Sequence, residues 1–461
     1  MRILGVDEEE NFYVLRSNIS LQTDRDRSGF RNRQYTVQLF SSSLRLVWEK
    51  EIHGPLENSR ISDVTLINGK LVITYYISNK KTKEYKFYCS LVGKDGKWNG
   101  NVVELDTFSA DDFDEDNKPV LLTSQNQQVI AFTYRKISKD KESQIYSIAV
   151  FDTSFSLQYK RDLQLTVPAR LFVPLNVLVT NQASVFIMGL HFLTEKKVKD
   201  PGQSFFDLFG YNKNRDAVVH YELKSDTQFL TDVGMSSDLA NNNIVIAGFY
   251  SDRTTYSTAG VFYYSLSEDS LAEKKMITTP FTTSYIQKFM GERKDNKSKE
   301  LTNFSIDKVL VRRDGGAGII AESNFSSMRS YYDYYMQMFI QHYYYHYGNI
   351  MLLSINPDGK ILWNNVVSKD QNSTDDGGYY SSYFSGTTEG RIFMIFNKYI
   401  EDNSSVLITT TDGTGNQKTD VLFNELEKVT VIPRSAKQVD DDTVLMPVYK
   451  QNKFYILKIN F

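Results

Sequence analysis

Residues that could hold a metal or catalyse a reaction are few in this chain of 461 residues. Among its five histidines, His342 and His346 are spaced so that a helix would place both on one face, but no third ligand accompanies them. The one cysteine, Cys89, excludes a disulfide framework and a cysteine-based metal site. The sequence therefore predicts neither a metal site nor a cofactor.

Three carboxylates offer the one arrangement with catalytic potential. Asp307, Asp314 and Glu322 lie near the first two predicted strands of the sixth unit, where they could line a central cavity. Paired carboxylates are the catalytic groups of glycoside hydrolases. Aspartate in a tight turn such as Asp314-Gly315-Gly316 is, however, usually there to form the turn. The phosphate-loop, nucleophile-elbow and His-Glu-x-x-His motifs do not occur in the sequence. We therefore predict that the protein is not an enzyme, with a glycan-binding or glycan-cleaving central pocket as the alternative.

The composition favours β-structure and argues against two classes of partner. The chain has 30 Tyr and 29 Phe but only nine Pro, and aromatic residues are enriched in strands. With 53 basic against 56 acidic residues, it lacks the broad positive field of a nucleic-acid-binding protein. Its best apolar run, residues 183–193, is about half of the roughly 20 residues that a membrane helix needs, so we expect no transmembrane segment.

Short β-like runs joined by turns recur from one end of the chain to the other. Asn68-Gly69, for example, separates two apolar runs with the turn chemistry of a β-hairpin. A second kind of hairpin recurs seven times in the same order. Four short strands per unit, at a period of about 40 to 50 residues, are typical of a β-propeller. We predict an all-β fold, a single β-propeller domain of seven or eight four-stranded blades, with unrelated β-sandwiches as the alternative.

The predicted blades cover nearly the whole chain. They span residues 2–52, 59–105, 118–163, 172–233, 235–277, 304–368, 378–423 and 429–461. Residues 284–291 have the helical spacing of apolar side chains. The last unit lacks a fourth strand, and an unpaired sheet edge is a liability. We expect the missing strand to come from the N-terminal side, either from residues 2–6 or from residues that precede Met1.

The longer intervals between units contain insertions that we expect on one face of the propeller. In a four-stranded antiparallel blade, the connections after the second and fourth strands lie at the opposite end from the other turns. Residues 21–33, 193–216 and 324–347 follow second strands, and residues 281–303 follow a fourth strand. Long loops gathered on one face of a rigid scaffold usually carry function.

Two aromatic segments among these insertions are the candidate partner-binding sites. Tyrosine, phenylalanine and methionine are typical of the cores of protein interfaces. The candidate residues are Phe205, Phe206, Phe209, Tyr211, Tyr331, Tyr332, Tyr334, Tyr335, Phe339, Tyr343, Tyr344 and Tyr345. As alternatives, the first segment would form a small core of its own, and the second would cover an otherwise exposed blade edge or extend two strands into a long hairpin.

One stretch of the sixth unit resembles a known family. It contains Asp314-Gly315-Gly316, Glu322, a Tyr-rich loop, Asp358-Gly359, Trp363, Lys369-Asp370-Gln371 and Ser381-Ser382-Tyr383. Over about residues 304–385 the sequence is similar to exported β-propeller proteins of the Bacteroidota. A member of that family resembles the plug subunit of the type IX secretion system translocon.

The resemblance implies a role in protein transport. It implies a non-enzymatic, accessory or plug subunit that binds an outer-membrane translocon or another outer-membrane protein and occludes the periplasmic side of a pore. It also implies a periplasmic location in association with the outer membrane. The first ten residues contain no apolar signal-peptide segment, which leaves two interpretations: the protein stays in the cytoplasm, or the sequence begins after processing.

Overall fold

The computed structural model describes residues 1–17, 34–79, 81–111, 119–195, 203–273, 276–290, 300–333, 335, 337–400 and 404–461. Most of the regular structure in these residues is β. They hold one α-helix, α1 (Thr283–Met290), which confirms the helix predicted from apolar spacing. No helix in this part of the chain has the length and apolar character that spanning a membrane requires.

The first half of the chain forms four antiparallel sheets, each built from four consecutive strands. We call them blades 1 to 4. Their strands are β1 (Arg2–Val6), β2 (Phe12–Ser17), β3 (Tyr35–Phe40), β4 (Leu46–Ile52), β5 (Arg60–Ile67), β6 (Lys70–Asn79), β7 (Glu84–Val92), β8 (Trp98–Ser109), β9 (Val120–Thr123), β10 (Ile130–Ile137), β11 (Gln144–Phe151), β12 (Leu157–Leu165), β13 (Phe172–Val179), β14 (Val185–Phe192), β15 (Ser204–Asn212) and β16 (Ala217–Leu223).

The second half forms blades 5 to 8, which are also antiparallel sheets but include additional short strands. Its strands are β17 (Phe229–Asp238), β18 (Asn243–Ser251), β19 (Ser257–Thr258), β20 (Gly260–Ser267), β21 (Ile277–Pro280), β22 (Leu301–Thr302), β23 (Phe304–Val311), β24 (Ala317–Asp333), β25 (Met338–Ile355), β26 (Ile361–Val367), β27 (Gln371–Thr374), β28 (Phe384–Thr388), β29 (Arg391–Asn397), β30 (Val406–Thr411), β31 (Gln417–Phe423), β32 (Thr430–Val431), β33 (Lys437–Gln438), β34 (Thr443–Lys450) and β35 (Lys453–Asn460). Blade 5 contains β17, β18, β20 and β21, and blades 6, 7 and 8 contain β23–β27, β28–β31 and β32–β35. Strands β19 and β22 form a small sheet of their own.

The blades are arranged in a closed ring. First strands of neighbouring blades contact each other, as β17 contacts β23. Each hydrophobic cluster joins two successive blades, and one cluster joins blade 8 to blade 1 through Leu445, Ile3, Phe12 and Val14. The described residues thus form a β-propeller of eight blades. This confirms the predicted fold class and excludes separate sandwiches.

Burial explains the sequences of the strands. Second and third strands pack against a neighbouring blade on each face, so they are almost continuously apolar, and β18 is buried from Ile244 to Ser251. Fourth strands lie at the rim, and β31 exposes residues 417–421. Bulges bend several first strands, including β17 at Thr231 and β23 at Asp307. The position of a strand within its blade therefore decides whether its sequence alternates.

Two predictions about blade 4 are wrong. Residues 193–216 are not simply an insertion, because residues 204–212 form β15, which pairs with β14 and with β16. The predicted boundary at residue 233 is also wrong, since blade 4 ends at Leu223 and Phe229–Asp238 is the first strand of blade 5. The cause is burial: every residue of β15 is buried, so its sequence lacks the polar alternation that marks a half-exposed strand.

The ring closes through side-chain packing between blades 8 and 1. Strand β1 pairs with β2 as the first strand of blade 1, so residues 2–6 do not complete blade 8. In blade 8, β32 and β33 share one edge of β34, and β35 pairs with its other edge. No other described strand pairs with β35. A hydrogen bond from Lys437 Nζ to the carbonyl oxygen of Leu4 crosses the junction.

The long connections lie at one end of the ring, as predicted, and we call this end the elaborated face. Strand β19 follows the second strand of blade 5 and pairs with β22, which follows the fourth strand. The two kinds of connection therefore share a face. Helix α1, between blades 5 and 6, belongs to it, as does the far end of β24 and β25. The predicted insertion at residues 21–33 lies outside the described residues.

Candidate functional site: a projecting aromatic hairpin

The second and third strands of blade 6 continue far beyond the blade. Strands β24 and β25 pair without interruption up to Asp333 and Met338, apart from one bulge. The first strand of the blade leaves β24 at Ser323, and the fourth leaves β25 at Ile350. Ten residues of each strand, 324–333 and 338–347, therefore project from the ring. At roughly 3.3 Å per residue they extend about 30 Å. We call residues 324–347 the aromatic hairpin.

A bulge and an additional strand position the aromatic hairpin on the ring. The register of β24 and β25 shifts opposite Ser323, where Gly348 allows the two backbones to approach. Strand β27 pairs with Tyr344–Tyr347 and so covers one edge of the hairpin near its base. Just beyond β27, the Asp375 carboxylate accepts a hydrogen bond from the backbone N–H of Tyr343 at 2.8 Å. The base of the hairpin is therefore held by pairing on more than one edge.

One face of the aromatic hairpin is a row of stacked side chains. The Phe325 and His346 rings stack at 4.4 Å, the Arg329 guanidinium lies 5.3 Å from the Tyr344 ring, and the Tyr331 and His342 rings stack at 5.6 Å. In addition, His342 Nδ1 lies 2.6 Å from Asp375 Oδ2. These contacts order the side chains but leave their outer surfaces in solvent.

The aromatic hairpin exposes large apolar side chains along its length. Among its described residues, those that are at least 40% exposed are Phe325, Met328, Tyr331, Tyr332, Tyr335, Met338 and Phe339. Several large apolar side chains exposed on one element are typical of a protein interaction site. The hairpin thus combines an exposed apolar surface with an ordered backbone.

A buried ion pair lies at the base of the aromatic hairpin. Lys369 Nζ is 2.7 Å from Glu322 Oε1, and the two side chains are 0% and 2% exposed. The contact is an ion pair and lacks the alignment of a hydrogen bond. Lys369 Nζ also donates to the Tyr347 carbonyl oxygen and to Gln371 Oε1, both at 3.1 Å, and Ser382 Oγ donates to Glu322 Oε2 at 2.7 Å. These contacts fasten β24 to the segment that carries β27.

Gln371 continues this network into blades 7 and 8. Its side-chain oxygen accepts a hydrogen bond from Ser382 N at 2.7 Å, and its Nε2 donates to the Asn397 carbonyl oxygen at 2.5 Å. The Asn397 side chain in turn donates to the Val431 carbonyl oxygen at 2.9 Å and accepts from Val431 N at 3.0 Å. A continuous chain of buried polar contacts therefore links the hairpin base to two further blades.

Burial dominates the electrostatics of this region. It raises the pKa of Glu322 and lowers the pKa of Lys369, and the opposite charge of each group partly reverses the shift of the other. Burial also raises the pKa of Asp307, which accepts a hydrogen bond from Tyr383 at 2.5 Å. On the neighbouring first strand, burial raises the pKa of Asp232 to about 6, and the charge of Asp307 adds to this shift.

The structure confirms that residues 331–347 extend two strands into a long hairpin, which was one of the two alternatives. Of the predicted partner-binding residues in this segment, Tyr331, Tyr332, Tyr335 and Phe339 are exposed and Tyr343, Tyr344 and Tyr345 are half-buried. Tyr334 lies outside the described residues. The described side chains of this group therefore lie on one element.

The other predicted anchors are core residues, so the prediction of an exposed aromatic dock at residues 205–211 is wrong. Phe205, Phe206, Phe209 and Tyr211 lie in β15 and are at most 8% exposed. Phe206 packs between blades 4 and 5, whereas Phe209 and Tyr211 pack between blades 3 and 4. Because a third strand faces a neighbouring blade on both sides, its aromatic side chains are buried whichever way they point.

The three candidate catalytic carboxylates are held by different groups. Glu322 is paired with Lys369, and Asp307 is bound by Tyr383. Asp314 lies in the turn between β23 and β24, where its two oxygens accept hydrogen bonds from Arg312 at 3.0 and 2.9 Å. Each carboxylate has its own partner, and they do not form the open pair that glycoside hydrolysis requires.

The sequence did not indicate that Lys369, Gln371 and Ser382 would meet Glu322. These residues belong to the stretch that resembles exported propellers, but their spacing along the chain carries no signal for contact. One signal was present: Glu322 directly follows the apolar run 317–321 of a buried strand. A carboxylate in such a position requires a buried cation or several donors.

Comparisons with known proteins find solved structures that are similar at low sequence identity. No family model and no curated protein sequence matches the chain. The chain is similar to the WD40 domain of SCAP from fission yeast, at 10% identity and a TM-score of 0.40, over 100% of this chain and 95% of that one. It is similar to the β-propeller domain of the Trilobed protease from Pyrococcus furiosus, at 10% identity and a TM-score of 0.37, over 87% and 96%.

A larger enzyme is also similar. Prolyl oligopeptidase B from Galerina marginata matches at 8% identity and a TM-score of 0.40, over 98% of this chain and 56% of the peptidase. The chain thus spans little more than half of that protein. Similarity at this level gives no information about activity or partners. The fold assignment rests on the order of the strands in each sheet and on the hydrophobic clusters between blades.

Proposed function

We propose that this protein is a non-enzymatic, protein-binding propeller that docks onto an outer-membrane partner through the aromatic hairpin. The observation that carries the proposal is the set of seven large apolar side chains that the described part of the hairpin exposes. Tyrosine, phenylalanine and methionine provide most of the anchors in protein interfaces. An apolar element that projects about 30 Å from its own core can bury this surface only against another molecule.

The construction of the hairpin base supports a binding role. The Glu322–Lys369 ion pair and the contacts of Gln371 fix the direction of the hairpin relative to three blades. A surface that is ordered before binding loses less conformational entropy when the complex forms. Tyrosine adds to this effect because its large contact area has few rotatable bonds. The exposed rings are therefore presented in a form suited to a defined partner.

The resemblance to exported Bacteroidota propellers suggests the kind of partner and the mechanism. Glu322, Lys369, Gln371 and Ser382 all belong to the resembling stretch, and together they build the hairpin base. We infer that the protein acts in the periplasm as an accessory or plug subunit of an outer-membrane protein-export complex. The mechanism is steric: the hairpin anchors the ring to the partner, and the rigid ring covers the periplasmic side of the pore.

The test replaces Tyr335 and Phe339, the most exposed described aromatic side chains of the hairpin, by serine. Tagged parent and variant proteins are recovered from native envelopes, and the co-purified outer-membrane proteins are identified by mass spectrometry. An interface anchor contributes about 2 kcal/mol or more, which corresponds to roughly 30-fold in affinity. We expect the variant to lose the partner while its melting temperature stays unchanged.

A matched control uses two exposed aromatic residues of another blade. Phe454 and Tyr455 on β35 are 51% and 46% exposed, and replacing both by serine likewise removes two exposed aromatic rings. The control variant should recover the same partner as the parent protein. Retention of the partner by the hairpin variant, or its loss from the control variant alone, contradicts the proposal.

A cavity supports a second candidate function, glycan binding. It lies between blades 6 and 7, away from the elaborated face, and its volume is about 800 Å³. Trp363, Arg313 and Arg391 line it, and so does Thr411, whose buried hydroxyl has no hydrogen-bond partner among the described residues. An aromatic ring beside polar groups suits a sugar. If the cavity binds glycans, calorimetry should detect an oligosaccharide that binds the parent protein and not the Trp363→Ala variant; a panel without a ligand rejects this function.

A further inference from the structure

Four side chains of metal-binding type meet on one face of blade 4. They are His191 on β14, Asp207 on β15, and His220 and Glu222 on β16. Asp207 is the direct partner of Glu222 in the pairing of β15 and β16. Residues two apart along a strand point to the same face, which places His220 beside this pair. We call these four residues the blade-4 cluster.

The distances within the blade-4 cluster are short. Asp207 Oδ1 lies 3.0 Å from His220 Nε2, and Asp207 Oδ2 lies 2.9 Å from His191 Nδ1. One donor atom each from Asp207, His220 and Glu222 can be chosen so that all three lie within 4.8 Å of one another. These atoms come from two neighbouring strands whose backbone pairing fixes their separation. The fold therefore assembles the donors before any ion is bound.

Aromatic contacts hold both imidazole rings of the blade-4 cluster in place. The His220 ring stacks on Phe209 with centroids 4.2 Å apart and planes 8° apart. The His191 ring lies 4.6 Å from the Phe205 ring. Both phenylalanines are buried core residues of β15. The buried rings of this strand thus orient the two histidines on either side of Asp207.

The charge balance of the blade-4 cluster is negative. The Asp207 side chain is 0% exposed, and a buried carboxylate requires a cation or several donors. Its two histidine neighbours are cations only when they are protonated. Glu222 adds a second carboxylate, and its partner Lys224, at 2.5 Å, is a half-exposed side chain at the surface. A divalent cation would neutralise the two carboxylates more completely than these groups do.

We propose that the blade-4 cluster binds a divalent transition-metal ion of the zinc class, with His220 Nε2, Asp207 Oδ1 and a Glu222 oxygen as ligands. Ligand atoms about 2.0–2.1 Å from a tetrahedral zinc ion lie about 3.3 Å apart, close to the 3.0 Å between His220 Nε2 and Asp207 Oδ1. His191 positions Asp207 from its other oxygen, as hydrogen-bonded partners of ligating carboxylates do. When the ion binds, the Glu222 carboxylate leaves its ion pair with Lys224 and contacts the metal instead.

The mixed nitrogen and oxygen donors fit this class of ion. Imidazole favours zinc and its transition-metal neighbours over calcium and magnesium. His220 and Glu222 are 33% and 47% exposed, so the ion can enter from solvent and a water molecule can take the fourth position. The site is independent of the aromatic hairpin and of its proposed partner.

The experiment uses the full chain without a histidine tag, stripped with a chelator. Zn²⁺ is titrated by calorimetry, and Co²⁺ binding is followed by its visible absorption. We expect one ion per chain. Changes in groups that only support a ligand cost about 10- to 100-fold in metal affinity, so Glu222→Gln and His220→Gln should each weaken Zn²⁺ binding about tenfold or more. Glu222 is half-exposed, and its variant should fold with the melting temperature of the metal-free parent protein.

A matched control is the His342→Gln variant. His342 and Asp375 lie 2.6 Å apart and form the same type of contact, but no third donor joins them in the described part of the chain. This variant should bind Zn²⁺ as the parent does. Zn²⁺ should raise the melting temperature of the parent and of this control but not of Glu222→Gln. Absence of binding at micromolar Zn²⁺, or binding that survives both cluster substitutions, overturns the proposal.

Discussion

Glu322 and Lys369 carry opposite charges in a place that water does not reach. Removing such ions from water costs several kcal/mol for each ion, and their mutual attraction offsets this cost only in part. Two further hydrogen bonds help to hold the pair, since Ser382 donates to Glu322 and Gln371 accepts from Lys369. An apolar pair of similar size often gives equal or greater stability. The ion pair instead fixes the orientation of the aromatic hairpin, because its two charges can meet in only one arrangement of the hairpin base.

This interpretation predicts different effects for single and double substitutions. Glu322→Gln leaves the Lys369 ammonium buried without its counter-charge, which should lower the free energy of unfolding by about 3–5 kcal/mol. The double variant Glu322→Leu with Lys369→Met removes both charges and should recover most of this loss. Urea unfolding of the parent and the variants measures these differences. A double variant as unstable as the single one would show that the hydrogen bonds, rather than the charges, hold this site.

Asp232 gives the stability a defined pH dependence. Burial raises its pKa from 3.8 to about 6, so the folded state disfavours the carboxylate form. The stabilising contribution is fully present below pH 3.8 and is lost as the pH rises through about 6. Its size is about 1–2 kcal/mol once partial exposure is allowed for. Asp232→Asn should therefore gain stability relative to the parent protein as the pH is raised from about 4 to 7 in denaturant titrations.

Asp412 provides a control of opposite sign for the pH experiment. Hydrogen bonds from the turn that it begins, led by the Thr414 hydroxyl, lower its pKa from 3.8 to about 2. Its contribution is present above pH 3.8 and is lost as the pH falls through about 2. Asp412→Asn should thus leave the difference between neutral and mildly acidic pH unchanged. If Asp232→Asn also leaves it unchanged, another group controls the pH dependence in this range.

At the scale of the elements, two aromatic runs of similar composition have opposite environments. Strand β15 is buried on both faces between three blades, whereas the aromatic hairpin leaves the ring. Phe206→Ala on β15 should lower the free energy of unfolding by about 3–5 kcal/mol, because it opens a cavity in the cluster between blades 4 and 5. Phe339→Ala on the hairpin should change it by less than about 0.5 kcal/mol. Thermal and urea unfolding of the two variants test this contrast, and equal effects would contradict it.

The same two elements show which features of the fold can be read from the sequence. Turn chemistry such as Asn68-Gly69 and the repeated hairpins indicate the propeller, because turns and alternation are local properties. Strand β15 could not be recognised in this way, since its burial on both faces removes the alternation of apolar and polar residues. The length of the aromatic hairpin is also hidden, because Tyr-rich sequence is compatible with a loop or a strand. The contact of Glu322 with Lys369 depends on how the segment between β26 and β27 folds back onto β24, which no local pattern records.

At the scale of the whole molecule, the ring does not close as expected. The sequence predicted that a strand from the N-terminal side would complete blade 8, but β1 pairs within blade 1. Blades 8 and 1 meet through side chains and through the hydrogen bond between Lys437 and the Leu4 carbonyl group. The first strand of blade 8 is also interrupted, since a 3-10 turn at Pro433–Ser435 separates β32 from β33. In the described residues this junction has a core of four buried residues, against sixteen between blades 3 and 4. Less apolar area is therefore removed from water here than elsewhere in the ring.

The ring should accordingly open first at the junction of blades 8 and 1. Local opening follows the regions with the fewest buried contacts, so amide hydrogens of β1 and β34 should exchange faster than those of β14 and β15. Leu445→Ala should widen this difference, because Leu445 is the one residue of blade 8 among the four buried side chains of that core. It should lower the free energy of unfolding by about 2–5 kcal/mol and speed exchange in β1 and β2 before other blades respond. Hydrogen exchange measured by mass spectrometry resolves these segments. Uniform protection around the ring, or a variant that speeds exchange equally in all blades, would mean that the propeller opens as one cooperative unit and that the junction is no weaker than the others.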